Sequence, residues 1–232
     1  MLFYKFLIKK ILSLFFKNNT LSQYTPFEEK LNFGSHFFGL LLYIFCCPYL
    51  IFTAIQNPSK VNIAGLVIFS VGLIAVYATS SMYHFIENKE LKTKFRTLDH
   101  MAIFLLIGGT YTPLVNKYIS EPLGTIFLTI LWTILIGGIV MKYFFMGRFR
   151  LFSVFLYVFL GSMVLFIIKP IIKDMPHNIF IYVLLGGVTY LIGVPFYMRK
   201  NLKYTHFLWH IFVLVASFLH YIAIYKTVTI PL

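Results

Sequence analysis

Two histidines, His206 and His210, lie four residues apart at the start of the last long apolar stretch of the chain. On an α-helix, residues with this spacing face the same side one turn from each other, so both imidazole rings can bind one metal ion. Ionisable side chains are costly within apolar membrane segments, and those that occur there usually face a bundle interior or a cavity. The pair therefore predicts a metal site between helices.

Three further residues have chemistry that suits such a site. His84 closes the second apolar run, Ser80 lies one helical turn before it, and Asp99 lies just before the third run. Three neutral imidazoles with one open position are typical of catalytic zinc. A nearby carboxylate can orient the metal-bound water, accept its proton or fix a ligand's tautomer, and a serine can help to hold a developing oxyanion.

We therefore expect Zn²⁺ as the cofactor, with His84, His206 and His210 as metal ligands and Asp99 and Ser80 as catalytic residues. Asp99 is the natural candidate for the carboxylate because we interpret it as the only acidic residue within reach of a span.

The composition places these residues in a membrane protein. The 232-residue chain is 59% hydrophobic and only 12% charged, whereas soluble domains have about 25% charged residues. Seven apolar runs lack Lys, Arg, Asp and Glu, and most approach the roughly 20 residues that a spanning helix needs. They are approximately Phe33–Ala54, Val61–His84, Met101–Val115, Pro122–Met141, Leu151–Ile168, Ile179–Met198 and His206–Ile224. We predict an all-α integral membrane protein with seven transmembrane helices.

The distribution of Lys and Arg predicts the orientation of these helices. Fifteen of the 20 lie in the N-terminal segment and in the loops on the same side of the membrane, and five lie on the other side. The positive-inside rule then places the N-terminus in the cytoplasm and the C-terminus outside. In this topology the end of the second span and the starts of the third and seventh spans bring His84, Asp99, His206 and His210 to one cytoplasmic depth.

Residues 1–27 form a separate predicted segment before the membrane domain of residues 28–232. Lys5, Lys9 and Lys17 recur at helical spacing among apolar residues, as in basic amphipathic helices that lie on membranes. We expect residues 1–17 to contact an anionic lipid surface and Glu28–Asn32 to be a polar approach to the first span. Lysines interrupt the apolar region that a signal peptide requires. Contact with anionic lipid and the orientation of the spans also explain the net charge of +13. Nucleic acid is therefore not an expected partner.

The four other histidines are left out of the predicted ligand set. His36 and His100 lie at the same predicted depth and could replace a ligand, whereas His177 lies in an outer loop. His220 is ten residues past His210, roughly 15 Å along a helix, and we interpret it as a buried hydrogen-bonding residue.

The ordered motifs of the chain resemble those of the hemolysin III proteins, the bacterial branch of the progestin and adipoQ receptor superfamily, which includes the adiponectin receptors. The motifs are Glu29-x2-Asn32-x3-His36, Ser80-x3-His84, Leu98-Asp99-His100, Gly109-Thr110-Tyr111-Thr112-Pro113, Gly186-Gly187-x2-Tyr190-x2-Gly193 and His206-x2-Trp209-His210-x9-His220. The resemblance covers about residues 28–226.

The resemblance implies seven membrane helices with an intracellular N-terminus, located in the bacterial cytoplasmic membrane. It implies a zinc ion near the cytoplasmic face held by His84, His206 and His210. By the same similarity, Asp99 would hold the metal-bound water and Ser80 would be the accompanying serine.

Three functions follow as hypotheses. The first is a zinc-dependent hydrolase of acyl-amide or ceramide-like lipids, an activity that the resemblance to alkaline ceramidases also implies. The second is a non-enzymatic sensor or receptor of membrane lipid in which zinc is a structural clasp. The third, a pore-forming hemolysin, is disfavoured because such a protein must leave the producing cell in soluble form. The residues alone fit an enzyme and a receptor, and they carry no indication of an oligomeric state.

Overall fold

The computed structural model describes residues 24–57, 61–199 and 202–230, and within these ranges the chain is helical without a β-strand. A 3₁₀ segment, Met163–Ile167, joins the fifth helix to the sixth. The helices are α1 (Pro26–Gln56), α2 (Ile63–Phe85), α3 (Lys89–Tyr118), α4 (Leu123–Phe145), α5 (Arg150–Gly161), α6 (Ile168–Asp174), α7 (His177–Met198) and α8 (Thr205–Thr229).

Seven segments are long and apolar enough to cross a membrane, because α5, the 3₁₀ segment and α6 together form one span. This confirms the predicted all-α architecture with seven membrane helices. The orientation of the termini stays a prediction. The predicted amphipathic helix of residues 1–17 lies outside the described residues.

The first helix begins seven residues before the predicted apolar run. Thr25 Oγ1 accepts a hydrogen bond from Glu28 N at 3.2 Å, and the Glu28 carboxylate accepts one from Thr25 N at 3.0 Å. This reciprocal capping box, with Pro26 in the first turn, determines where α1 starts. Residues 28–32, which we interpreted as a polar approach to the first span, are therefore helical, and Glu29 belongs to α1.

The third helix also begins earlier than predicted. The side-chain oxygen of Asn88 accepts hydrogen bonds from Glu90 N and Leu91 N at 3.1 and 3.0 Å, which caps the helix at this point. The charged stretch that we assigned to a loop is therefore helical. Asp99, which we expected just before the third run, lies in the interior of α3.

Glycines determine how closely α2 and α3 pack. A Cβ added at Gly72 would lie 2.9 Å from Leu106 Cα, and one at Gly109 would lie 2.8 Å from Phe69 Cα. Small residues of this kind allow the backbones of membrane helices to approach each other. The α2–α3 pair has the most extensive helix packing in the described chain. This packing fixes the relative positions of Ser80 and Asp99, which lie on the two helices.

The fifth span is broken after α5, and Tyr111 of α3 bridges the break. Its hydroxyl donates to Gly161 O at 2.8 Å and accepts from Val164 N at 2.9 Å. Backbone groups that leave the helical ladder inside a membrane need partners of this kind. A cavity of about 310 Å³ lies beside the break, bounded by residues of α2, α3, α5, α6, α7 and α8, and its lining is largely apolar.

Candidate metal centre

The three predicted ligands meet at one end of the bundle, which we call the histidine end, formed by the starts of α1 and α8 and the end of α2. His84 Nε2 and His206 Nε2 are 3.2 Å apart, and His206 Nε2 and His210 Nε2 are 3.1 Å apart. His84 and His210 are buried and His206 is half-buried. Across the part of the chain that the structure describes, these three histidines form the group that could hold a metal ion.

Two of the three distances between these nitrogens fit a tetrahedral zinc ion. Nitrogen ligands lie about 2.0–2.1 Å from tetrahedral zinc and therefore about 3.3 Å from one another. The distances of 3.1 and 3.2 Å between neighbouring Nε2 atoms are close to this value.

The outer nitrogens of two rings support the same conclusion. His84 Nδ1 lies 2.6 Å from the Glu29 carboxylate, and His210 Nδ1 lies 3.1 Å from the carbonyl oxygen of Asn32. Both partners only accept hydrogen bonds, so in the neutral rings Nδ1 carries the proton and Nε2 carries a lone pair. Two lone pairs thus converge on His206, as expected of a cation-binding site.

Glu29 is a candidate site residue that the sequence analysis left out of the predicted site. Its carboxylate bridges His84 Nδ1 at 2.6 Å and Lys92 Nζ of α3 at 2.9 Å. A carboxylate on the outer nitrogen of a ligating histidine fixes the ring's tautomer and raises its basicity. The interpretation of Asp99 as the only acidic residue within reach was therefore wrong. The sequence does contain a signal for the position of Glu29, because the capping box at Thr25 places this residue in the first turn of a helix.

Further contacts hold the two histidines of α8. The ring of Tyr24 stacks on His206 with centroids 4.9 Å apart, and Ser35 Oγ lies 3.1 Å from His210 Nδ1. Before α8, Tyr204 has a left-handed backbone with φ of 63°, and its N–H donates to Glu28 Oε1 at 2.9 Å. The start of the last helix is thus tied to the first turn of α1.

Asp99 and Ser80 line a cavity of about 40 Å³ together with His206 and His210. The Ser80 hydroxyl and the guanidinium of Arg96 lie near the Asp99 carboxylate. Asp99 is outside the group of atoms close enough to share one ion. Its position therefore suits contact with a metal-bound water better than direct ligation. All five predicted site residues lie at the histidine end, and their catalytic and metal-binding roles stay predictions.

Two of the other histidines use their nitrogens away from the cluster. His100 Nδ1 lies 2.9 Å from Arg96 O and its Nε2 lies 3.2 Å from Tyr197 OH, so this ring is not available as a replacement ligand. His220 Nε2 lies 3.1 Å from Val183 O, which confirms the predicted hydrogen bonding of His220, although the residue is half-buried. His36 differs from both, because its ring lies against His210 with centroids 3.7 Å apart.

The small cavity beside the histidine cluster and the large apolar cavity share one wall. Val76, Ile103, Tyr197, Trp209 and Val213 line both. An apolar chain in the large cavity would therefore have one end next to the histidine cluster and the Asp99 carboxylate.

Comparison with known proteins identifies the family. Residues 24–221 match the family described as Haemolysin-III related. A hemolysin-3 homolog of Bacillus subtilis (strain 168) is 37% identical over 194 residues, which are 84% of this chain and 91% of the relative. Hemolysin-3 of Bacillus cereus is 35% identical over 190 residues, 82% of this chain and 87% of the relative.

The similarity extends beyond bacteria. The human monocyte to macrophage differentiation factor is 27% identical over 168 residues, which are 68% of each chain. No solved structure matches the chain. The family match over most of the sequence, with bacterial relatives above one-third identity, confirms the resemblance seen in the motifs: the chain belongs to the hemolysin III family, the bacterial branch of the progestin and adipoQ receptor superfamily.

Proposed function

We propose that this protein is a zinc-dependent hydrolase of membrane lipids, with acyl-amide or ceramide-like lipids as its substrates. The observation that carries the proposal is the convergence of three Nε2 atoms beside an apolar cavity that can accept an acyl chain. The charge distribution further supports a location in the bacterial cytoplasmic membrane, with the histidine end at the cytoplasmic face.

The residues of the site have separate roles in this proposal. When bound, zinc supplies a Lewis acid for the substrate carbonyl and a water that loses its proton near neutral pH. His84, His206 and His210 would hold the ion. The Asp99 carboxylate accepts the proton of the attacking water and passes it to the leaving nitrogen as the amide C–N bond breaks. The Ser80 hydroxyl donates a hydrogen bond to the carbonyl oxygen as negative charge develops on it.

A lipid sensor with a structural metal is the second candidate, and helix packing favours it. The metal ligands come from α2 and α8, yet each of these helices packs mainly against other helices within the described chain. A metal ion would therefore clasp two helices that backbone packing leaves apart. In this function the ion stabilises one arrangement of the bundle without any reaction.

Hydrolysis and metal content, measured together on purified protein in detergent, separate the two candidates. The substrates are a panel of ceramide-like lipids, other acyl-amide lipids and ester lipids. We expect stoichiometric zinc and turnover in the wild type, with both lost in His210→Ala. Turnover that persists in His210→Ala would refute the metal mechanism, and zinc that stabilises the protein without cleavage of any lipid would favour the sensor.

Asp99→Asn tests the chemical role of the carboxylate separately. We expect this variant to keep its zinc and to lose about 10²–10⁴-fold in turnover, the usual contribution of a general base. Asp174→Asn is the matched control because Asp174 is exposed at the end of α6. Equal turnover in Asp99→Asn and the control would exclude Asp99 as the base.

A further inference from the structure

Most of the buried side-chain atoms that lack a hydrogen-bond partner belong to residues at the histidine end. Across residues 24–57, 61–199 and 202–230 these atoms are both polar side-chain atoms of Asn32, both ring nitrogens of His36, Ser80 Oγ and Ser70 Oγ. Buried polar groups without partners are destabilising and uncommon, so each needs an explanation. Their concentration beside the histidine cluster is what a site for a polar ligand would show.

His36 is held firmly while its nitrogens stay unpaired. The side chain is 97% buried. Its ring lies between His210, at a centroid distance of 3.7 Å, and Tyr77, at 5.0 Å. The Tyr77 hydroxyl is 2.6 Å from Ser217 Oγ and is therefore engaged elsewhere. Packing thus orders the His36 ring without satisfying its donor and acceptor.

His36 and Ser80 both line the 40 Å³ cavity that His206, His210 and Asp99 also line. A neutral imidazole offers one donor and one acceptor, and a serine hydroxyl can do both. The space is large enough for a few polar atoms. It adjoins the apolar cavity through their shared wall, so the polar end of a lipid would reach both side chains.

We propose that His36 and Ser80 form a head-group subsite, which hydrogen-bonds an uncharged lipid head that carries both donors and acceptors, such as an amide N–H with a hydroxyl. The subsite rests on the proposed function and specifies its substrate class. A lipid head group that carries acceptors but no donors would leave the acceptor atoms of His36 and Ser80 unpaired. Sites built to hydrogen-bond a polar group reject analogues that lack it.

The test measures binding in the Asp99→Asn background, so that turnover does not interfere. The probes are N-octanoylethanolamine, which has amide N–H and hydroxyl donors, and ethyl octanoate, which has none. Affinity is obtained from thermal stabilisation of zinc-loaded protein in detergent. We expect about a 10–100-fold preference for the amide, the effect of one or two hydrogen bonds.

Variants of the subsite should remove this preference without removing zinc. His36→Phe keeps an aromatic ring against His210 and removes both nitrogens, and Ser80→Ala removes the hydroxyl. We expect both to bind the two probes within about threefold of each other, and His36→Gln to restore part of the preference because its amide both donates and accepts.

Ser70→Ala is the matched control, since Ser70 has the same unpaired hydroxyl on α2 but lies ten residues from Ser80, roughly 15 Å along the helix. It should keep the full preference. Equal binding of both probes by the parent protein would overturn the subsite, as would an unchanged preference in zinc-loaded His36→Phe or Ser80→Ala. If the cavity holds only water, the parent protein binds both probes equally.

The readout separates this proposal from the proposed function. Preferential binding of the amide without hydrolysis by wild-type protein supports the subsite while refuting the hydrolase. Hydrolysis by a protein that binds both probes equally supports the hydrolase and refutes the subsite.

Discussion

Two polar clusters are buried in this bundle, and they are constructed differently. In the middle of the bundle, Ser217 of α8 donates to Leu214 O at 3.1 Å and lies 2.9 and 2.6 Å from the hydroxyls of Tyr43 and Tyr77. Because the serine proton is used by Leu214, its two lone pairs can accept from both tyrosines. The cluster joins α1, α2 and α8, and its hydrogen bonds are complete.

At the histidine end the hydrogen bonds are incomplete. Lone pairs of His84 and His210 converge on His206, and His36 and Ser80 have unpaired polar atoms. A fully satisfied polar network rigidifies a structure, whereas one with unpaired groups is costly to keep. The middle cluster therefore joins the helices with complete hydrogen bonds, whereas the histidine end keeps donors and acceptors available for a bound partner.

The largest effect that would distinguish the clusters is the loss of metal from the histidine end alone. We expect the zinc content of His84→Ala to fall to about a tenth or less of the wild-type value, because two ligands bind zinc far more weakly than three. Elemental analysis of purified protein measures it. His177→Ala, at an exposed position at the start of α7, should keep full zinc content. Full zinc in His84→Ala would remove the basis for a metal site.

The complementary substitution, Ser217→Ala, should disrupt the middle cluster without changing the zinc content. Ser217→Ala leaves the Tyr43 and Tyr77 hydroxyls without their acceptor, which should lower the free energy of unfolding by about 2–4 kcal/mol. Thermal unfolding in detergent measures the loss. Zinc content should match the wild type, and a folded Ser217→Ala protein without zinc would show that the two clusters are not independent.

The smallest of these effects sharpens the role of Glu29. Glu29→Gln keeps the shape of the side chain but removes the charge that faces His84 and Lys92, and we expect zinc affinity to fall about 10–100-fold. Competition with a chelator measures this change. Glu90→Gln, in the exposed ion pair with Lys94, should leave zinc affinity unchanged. Equal affinity in the two variants would argue against a role for Glu29 in holding His84.

The sequence predicted the number of spans and the meeting of His84, Asp99, His206 and His210, because apolar runs and the charge of loops are local properties. It misplaced the starts of α1 and α3. An apolar run begins only after the last polar residue, whereas a helix begins where its backbone hydrogen bonds begin. Here the caps, Thr25 and Asn88, lie outside the apolar runs.

Other features of the site depend on tertiary structure. Neither the pairing of Glu29 with His84 nor the position of His36 against His210 follows from spacing, because each pair comes from two helices that are distant in the sequence. Which nitrogen of each ring faces the metal site also depends on partners such as the Asn32 carbonyl.

The bridging position of Glu29 has a consequence for how the protein is made. Membrane spans are synthesised in order from the N-terminus, so Glu29, His84 and Lys92 are in place before α8 exists. Both partners of the Glu29 carboxylate in the folded protein, His84 and Lys92, are therefore synthesised before the last span. A chain that stops before α8 would carry only one of the three predicted ligands, so in the proposed function zinc retention would report insertion of the last span.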